Sequence, residues 1–343
     1  MLTGQLSVTT SAVVFGVAAV VLAVVGVRFT RLVDRIADRT GLGEALAGAV
    51  LIGAVTSLPG LVTSGVGAWE GDASFAVSNS LGGIAAQTTF LAIADITYRR
   101  ANLEHAAASL PNLLQTLSLI TLVAIVFVAS VGPDVTVLGV HPATVALPVV
   151  YLYALVLTRN VGRSPMWRAQ ETPETRQDVP EEDDGDGRPM SLMWAEFVAL
   201  ATVVAITGYA VGRAGLSLAD ATGLDSSFVG TVFTALVTSL PELITVLTAV
   251  RIGALTLAVG DIIGGNTFDV LFVAAADVLY REGSVYHAID RPTSLLLGVV
   301  VLLSAVLAAG LVRREEKGIG FEGYAMILLY GGGIWLVYLL GSG

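Results

Sequence analysis

Apolar runs long enough to cross a lipid bilayer recur along almost the whole chain, at about 12–29, 44–67, 74–97, 111–131, 136–158, 192–211, 227–250, 254–279, 292–312 and 321–340. Short polar connections separate most of them. This pattern predicts an all-α integral membrane protein of about ten transmembrane helices. No basic residue precedes the first run, so a retained helix is expected there rather than a cleaved leader.

Composition supports this class. Hydrophobic residues make up 55% of the chain, charged residues 13%, and the mean hydropathy is +0.79. No soluble domain of any size fits between the runs, so a substrate must be met within or across the bilayer. The absence of cysteine excludes disulfides, thiolate metal sites and cysteine catalysis.

Of the eighteen basic residues, fifteen fall in one set of alternating loops and only Arg213, Arg281 and Arg291 in the other. By the positive-inside rule the richer side is cytoplasmic. Both termini are then expected outside, in a multi-pass protein of the cell membrane.

The chain also repeats itself. Thr56-Ser57-Leu58-Pro59 returns as Thr238-Ser239-Leu240-Pro241, 182 positions later. Gly82-Gly83 returns as Gly264-Gly265 at the same offset, and Ala94-Asp95 as Ala276-Asp277. Between 37–99 and 219–281, roughly 25 of about 63 positions are identical. On the ten-helix count the two copies enter the membrane in opposite senses, which makes two inverted five-helix repeats. That arrangement lets one fixed site face either side in turn. The expected halves are 1–162 and 191–343. They are joined by 163–190, whose Pro180-Glu181-Glu182-Asp183-Asp184-Gly185-Asp186 reads as a solvated, acidic, cytoplasmic linker without the spacing of a calcium loop.

Pro59 and Pro241 interrupt their helices near mid-span. Proline donates no hydrogen and displaces the carbonyl four residues back, freeing backbone oxygens around Val55 and Val237. In hydrocarbon such groups persist only where protein buries them or where they line a cavity. Thr56, Ser57, Thr238 and Ser239 add hydroxyls in the same turn, and the set offers hard oxygen ligands for Na⁺ or Ca²⁺. Glu242 lies four residues after Thr238, on the same helical face. Asp269 follows Gly264-Gly265 by about one turn, with Asn266 three residues before it. Carboxylates at this depth are expensive and point to function, and two of them balance one divalent cation.

Other polar residues call for less. Asp95 and Asp277 each precede an arginine by four residues (Arg99, Arg281), which fits interfacial anchoring. Asp261 and its counterpart Asn79 either line an access path or cap a broken helix. Glu196 is expected to snorkel. His105, His141 and His287 have no metal-ligand spacing.

No phosphate-binding loop, nucleophile elbow or zinc-protease motif is present. The chain is therefore expected to be no enzyme and to need no cofactor, nor does it suggest a nucleic-acid partner. Its partners would be the bilayer and small inorganic cations, with an ion gradient as energy source.

The paired Thr-Ser-Leu-Pro segments, with Glu242 after the second, resemble the two alpha repeats of the cation/calcium exchanger superfamily. Gly260-Asp261-Ile262-Ile263-Gly264-Gly265-Asn266-Thr267-Phe268-Asp269 is similar to the second segment of that motif. Ser78-Asn79-Ser80-Leu81-Gly82-Gly83-Ile84-Ala85-Ala86-Gln87 is similar to its first-repeat partner. The resemblance implies cation ligation by Thr56, Ser57, Gln87, Thr238, Ser239, Glu242 and Asp269. The chain departs from the motif at Gly60, where a second glutamate is usual, at Gly83 and Gly265, where serines often stand, and at Ile84.

With two carboxylates the site balances one Ca²⁺ or two Na⁺, because occluding unbalanced charge in a low-dielectric interior is costly. The expectation is a secondary antiporter exchanging Ca²⁺ for Na⁺, electroneutral or weakly electrogenic. A proton-coupled or monovalent cation exchanger and, more remotely, a cation channel remain open alternatives.

Overall fold

The computed structural model describes residues 6–40, 54–98, 102–167, 188–313 and 319–342. Most of the acidic linker, and part of the run before Thr56, lie outside these residues. Among them the architecture is entirely helical, apart from one isolated bridge between Val137 and Val140.

The first helix starts as α1 (Val8–Val21), passes through a π-helical turn at Leu22–Gly26 and continues as α2 (Val27–Thr40). Residues 54–56 are helical, and α3 (Leu58–Trp69) follows after Ser57. Next come α4 (Ala73–Tyr98), a short α5 (Leu103–Ala106), α6 (Leu110–Val131) and α7 (Pro142–Arg163). In the second half α8 (Met190–Thr222) precedes α9 (Ser226–Val229), a π-helical turn at Gly230–Thr234, α10 (Ala235–Thr238) and α11 (Leu240–Ile252). The chain then forms α12 (Leu255–Asp269), α13 (Leu271–Leu279), a short α14 (Val285–Ala288), α15 (Arg291–Val312) and α16 (Phe321–Gly341).

Among the described residues seven helices are long and apolar enough to cross a membrane, and an eighth is formed if Ser226–Thr238 and Leu240–Arg251, bent by 48° at Ser239, count as one span. Two of the ten expected spans are outside this count. One is α3, whose preceding run is partly undescribed. The other is α4, which has 26 residues but carries Ser78, Asn79, Ser80, Gln87, Thr88 and Thr89 through its middle. Apolar side chains of the outer helices, such as Val17, Val24, Leu152, Val156 and Leu328, point away from the protein, as lipid-facing residues do.

Several helices depart from their expected bounds for local reasons. The run at 192–211 continues to Thr222, because Arg213, which ends the apolar stretch, pairs with Glu70 at 2.6 Å. It stops where Gly223 takes a left-handed conformation (φ 72°) that glycine adopts without strain. The run at 136–158 begins only at Pro142, with His141 as its cap.

The core is built around α4, which packs against α3, α11, α12, α13, α15 and α16. Its burial along nearly its whole length explains how its polar residues are tolerated: each faces another helix. Two glycines let the outlying helices approach the broken ones. A Cβ at Gly26 would lie 2.7 Å from the Pro241 ring, and one at Gly208 would lie 2.5 Å from the Pro59 carbonyl oxygen. Gly26 and Gly208 are themselves 182 positions apart, so each half offers its glycine to the proline of the other.

Candidate cation site

Both Thr-Ser-Leu-Pro segments break their helices at the serine. Ser57 (φ −80°, ψ −6°) and Ser239 (φ −94°, ψ 7°) leave the regular helix, and each proline takes the first turn of the helix that follows, where its missing N–H costs nothing. The breaks meet in the protein interior beside α4 and α12. Thr56, Ser57, Gln87, Thr238, Ser239, Glu242, Asn266 and Asp269 are all at most 5% exposed.

The hydroxyls are prepared to accept. Thr238 donates its hydrogen to the carbonyls of Thr234 and Ala235 at 3.0 and 3.2 Å, so its lone pairs remain for another partner. Ser239 Oγ accepts from Gln87 Nε2 at 3.2 Å, and the same Gln87 amide donates to Asp269 Oδ2 at 2.9 Å. Thr56 lies against Glu242, and Ser57 against Asp269. Asn266 donates to Thr88 Oγ1 at 2.9 Å. Ser80 donates to the Asp269 backbone carbonyl at 2.7 Å, which fixes the point where α12 yields to α13.

What remains unpaired is informative. Glu242 Oε1 and Oε2, Asp269 Oδ1, Ser57 Oγ, Gln87 Oε1 and Asn266 Oδ1 are buried without a hydrogen-bond partner. Buried polar atoms are ordinarily satisfied. Glu242 and Asp269 act on each other electrostatically, with Asp261 adding to the negative field at Glu242. Among the described residues no basic group faces either one. Leaving such charges unbalanced costs several kcal/mol each, so the arrangement calls for a cation or protons. Two carboxylates with neutral oxygens around them suit a hard cation.

The missing glutamate has a physical counterpart. A Cβ at Gly60 would lie 2.9 Å from the ring of Phe272, a residue only 3% exposed. An aromatic ring thus takes the room a side chain would need. Phe272 repeats Phe90 at the offset of 182, but nothing in the sequence ties it to Gly60. Tyr151 also escapes a sequence reading: it packs against Phe268 with ring centres 6.0 Å apart and lies within electrostatic range of Asp269.

Asn79, left open by sequence, has a structural part. Asn79 donates to the Gly60 carbonyl (3.1 Å) and Ser64 (2.9 Å) and accepts from Thr234 (2.7 Å), so it ties α3, α4 and the π turn together. Asp277 is no interfacial anchor. Fully buried, it accepts from the backbone N–H groups of His141 and Val285 and from the Thr144 hydroxyl. Asp95 is buried too, while its expected partner Arg99 lies outside the described residues. Glu196 does reach outward, to Arg28 and Arg188 at 2.6 and 2.7 Å.

A family model described as sodium/calcium exchanger protein matches residues 10–161 and 192–339. The chain belongs to that family. The exchanger match thus covers both sides of the linker, and with the apolar helices it makes the chain a multi-pass membrane protein. The putative antiporter CaxA of Alkalimonas amylolytica is 23% identical over 316 residues, 91% of this chain and 93% of that one. The inner membrane protein YrbG of Escherichia coli K12 is 32% identical over 167 residues, about half of each chain (48% and 49%). A crystal structure of the H⁺/Ca²⁺ exchanger CAX shares the fold with a TM-score of 0.66 at 13% identity, covering 97% of this chain and 85% of that one.

Proposed function

We propose that this exchanger is a secondary antiporter moving Ca²⁺ against Na⁺ by alternating access, built as ten transmembrane helices in two inverted five-helix repeats. One observation carries the reading: six buried oxygen atoms without hydrogen-bond partners, contributed by Ser57, Gln87, Glu242, Asn266 and Asp269 around the two helix breaks. Glu242 and Asp269 act as the charged ligands. Ser57, Thr56, Thr238, Ser239, Gln87 and Asn266 supply neutral oxygens. The halves 1–162 and 191–343 flank the acidic linker, which the distribution of basic residues puts in the cytoplasm with both termini outside.

Two carboxylates balance one Ca²⁺ or two Na⁺, so exchange is electroneutral or weakly electrogenic. A specific observation favours a second reading, in which protons replace Na⁺. With Phe272 beside Gly60, Glu242 and Asp269 are the carboxyls at the two breaks, and among the described residues neither has a basic partner, so each can be neutralised by a proton. The shared fold with an H⁺/Ca²⁺ exchanger agrees with this.

Radiolabelled Ca²⁺ uptake into proteoliposomes, driven first by a Na⁺ gradient and then by a pH gradient, separates the two. Uptake should be saturable, should require the counter-ion and should vanish in Glu242→Gln. Uptake without a counter-ion would point to a channel. No uptake under either gradient, or a Glu242→Gln variant equal to wild type, would overturn the calcium assignment.

A further inference from the structure

A second buried acidic group lies away from the cation site, between the end of α4, the short α5 and the start of α16. Asp95, Glu104 and Glu322 are each 1% exposed, as is Asn102 between them. A Cβ at Gly310 of α15 would sit 2.8 Å from Cγ of Glu322 and 3.3 Å from Cγ of Glu104, so both carboxyl arms crowd onto one glycine. The Leu103 N–H donates to Asp95 Oδ1 at 3.1 Å, and Asn102 Nδ2 donates to Glu322 Oε1. Asp95 Oδ2, Glu322 Oε2 and both oxygens of Glu104 have no partner. Among the described residues Glu104 is thus a buried carboxyl that takes no donor from another residue and feels two other carboxyls.

The matching place in the second half shows what a purely structural solution looks like. Asp277 stands 182 positions after Asp95, Val285 after Leu103 and Tyr286 after Glu104. There the aspartate takes donors from His141, Thr144 and Val285, and the Tyr286 hydroxyl meets Thr144 at 3.0 Å. One carboxylate with neutral donors is enough to fix that end. Around Asp95 two further carboxyls, Glu104 and Glu322, take the place of the neutral groups. Packing alone does not call for them.

We propose that Asp95, Glu104 and Glu322 form a proton-binding site, separate from the cation site, whose occupancy holds the end of α4 to α15 and α16. Three carboxylates cannot all be ionised in one low-dielectric pocket, and a proton shared between them supplies the donor that the geometry lacks. His105 is on α5 itself, the helices packed around it also carry Tyr98, Asp261, Asp269 and Arg291, and Arg313 lies over the Phe321 ring. Among the described residues Asp95 and Glu322 are the charges that act on Glu104, and its own backbone N–H opposes them. Burial first, then these two neighbours, push the Glu104 carboxyl up to about 8. A carboxyl raised in the fold stabilises it while protonated and loses that contribution as pH rises through the raised value. Because α4 also carries Gln87 to the cation site, release of the proton loosens a helix that serves transport.

The test compares the full-length wild type with Glu104→Gln in lipid nanodiscs, and the difference removes signals from Glu242 and Asp269, which are common to both. Infrared difference spectra should show a protonated-carboxyl band in wild type that disappears as pH rises through about 8 and is missing from Glu104→Gln. The melting temperature of wild type should fall more than that of the variant as pH rises from the ordinary carboxyl value of 4.5 to about 8. Glu322→Gln gives the same comparison if Glu104→Gln does not fold. An unchanged band in both variants, or an equal loss of melting temperature in wild type and variant, would overturn the proposal. So would stoichiometric binding of Ca²⁺ alone that either variant abolishes, since the pocket would then be a metal site. None of these readouts depends on transport, so failure here leaves the exchange reading intact, and the converse holds.

Discussion

Gln87 donates a 2.9 Å hydrogen bond to Asp269, and these two residues occupy the same position in the two repeats, 182 apart. The halves therefore meet at equivalent residues that differ by one charge. The amide neutralises nothing; it only offers a donor to a carboxylate in the interior. Gln87→Glu would supply a third carboxylate and remove the donor. On the charge argument above, the site then balances three monovalent ions, and exchange against one Ca²⁺ becomes electrogenic. Imposed membrane potential should drive Ca²⁺ movement in Gln87→Glu proteoliposomes far more than in wild type. Equal voltage sensitivity in the two would sink the charge-balance account.

Gly60 and Phe272 define a second asymmetry. A methyl group at position 60 would sit 2.9 Å from Cε2 of the ring, closer than carbon atoms tolerate. Gly60→Ala should cost about 1–3 kcal/mol through overpacking, and Phe272→Ala about 3–5 kcal/mol through the cavity it opens. Because each change relieves the other, the double variant should be more stable than the sum of the single losses implies. Melting temperatures of the four proteins in one detergent form the cycle. Strict additivity would mean that the ring does not take up the room at Gly60.

The position of the candidate site was legible in the sequence because proline, threonine and serine act locally. They break a helix whatever surrounds them, and their recurrence at one offset marks both halves. The same locality explains what escaped. Phe272 matters only because α13 brings it to Gly60, and Asn79 could be read as a structural tie only once Ser64 and Thr234 were seen beside it. Asp277 resembled an anchor because Arg281 is its neighbour in sequence, whereas two of its three donors, His141 and Thr144, lie more than a hundred residues earlier. Helix ends were misjudged for a related reason: apolar runs stop at Arg213, but the helix continues where Glu70 offers that arginine a partner. Contacts between distant segments leave no periodic trace.

The glycine–proline contacts predict a graded response. At Gly208 the added methyl would meet the Pro59 backbone oxygen at 2.5 Å, whereas at Gly26 it would meet the Pro241 ring at 2.7 Å. Backbone yields less readily than a ring at the surface of a bent helix, so Gly208→Ala should lower stability and uptake more than Gly26→Ala. Ca²⁺ uptake normalised to folded protein, together with melting temperature, measures both effects. Equal tolerance at the two positions would show that these helices do not need close approach to the broken spans.

The paired glycines of α4 and α12 provide the sharpest contrast, because chemically identical substitutions should have opposite outcomes. A Cβ at Gly82 would lie 2.6 Å from Cα of Thr231 and 2.8 Å from its carbonyl oxygen, while Gly264, its repeat counterpart, has nothing within 4 Å. Gly82→Ser should therefore disrupt packing, and Gly264→Ser should be accepted. At Gly83 a Cβ would stand 3.5 Å from Ser239 Oγ and 3.8 Å from Asp269 Oδ2, and at Gly265 it would stand 3.6 Å from Gln87 Oε1. These are ordinary contacts, so a serine at either position brings its hydroxyl to the cation site. Helix propensity adds a gain of about 0.5–1 kcal/mol on replacing a mid-helix glycine. Gly83→Ser and Gly265→Ser should keep or raise the melting temperature and lower the Ca²⁺ concentration for half-maximal uptake. If half-maximal uptake needs the same Ca²⁺ in both variants as in wild type, the cation does not pass between these glycines and Asp269.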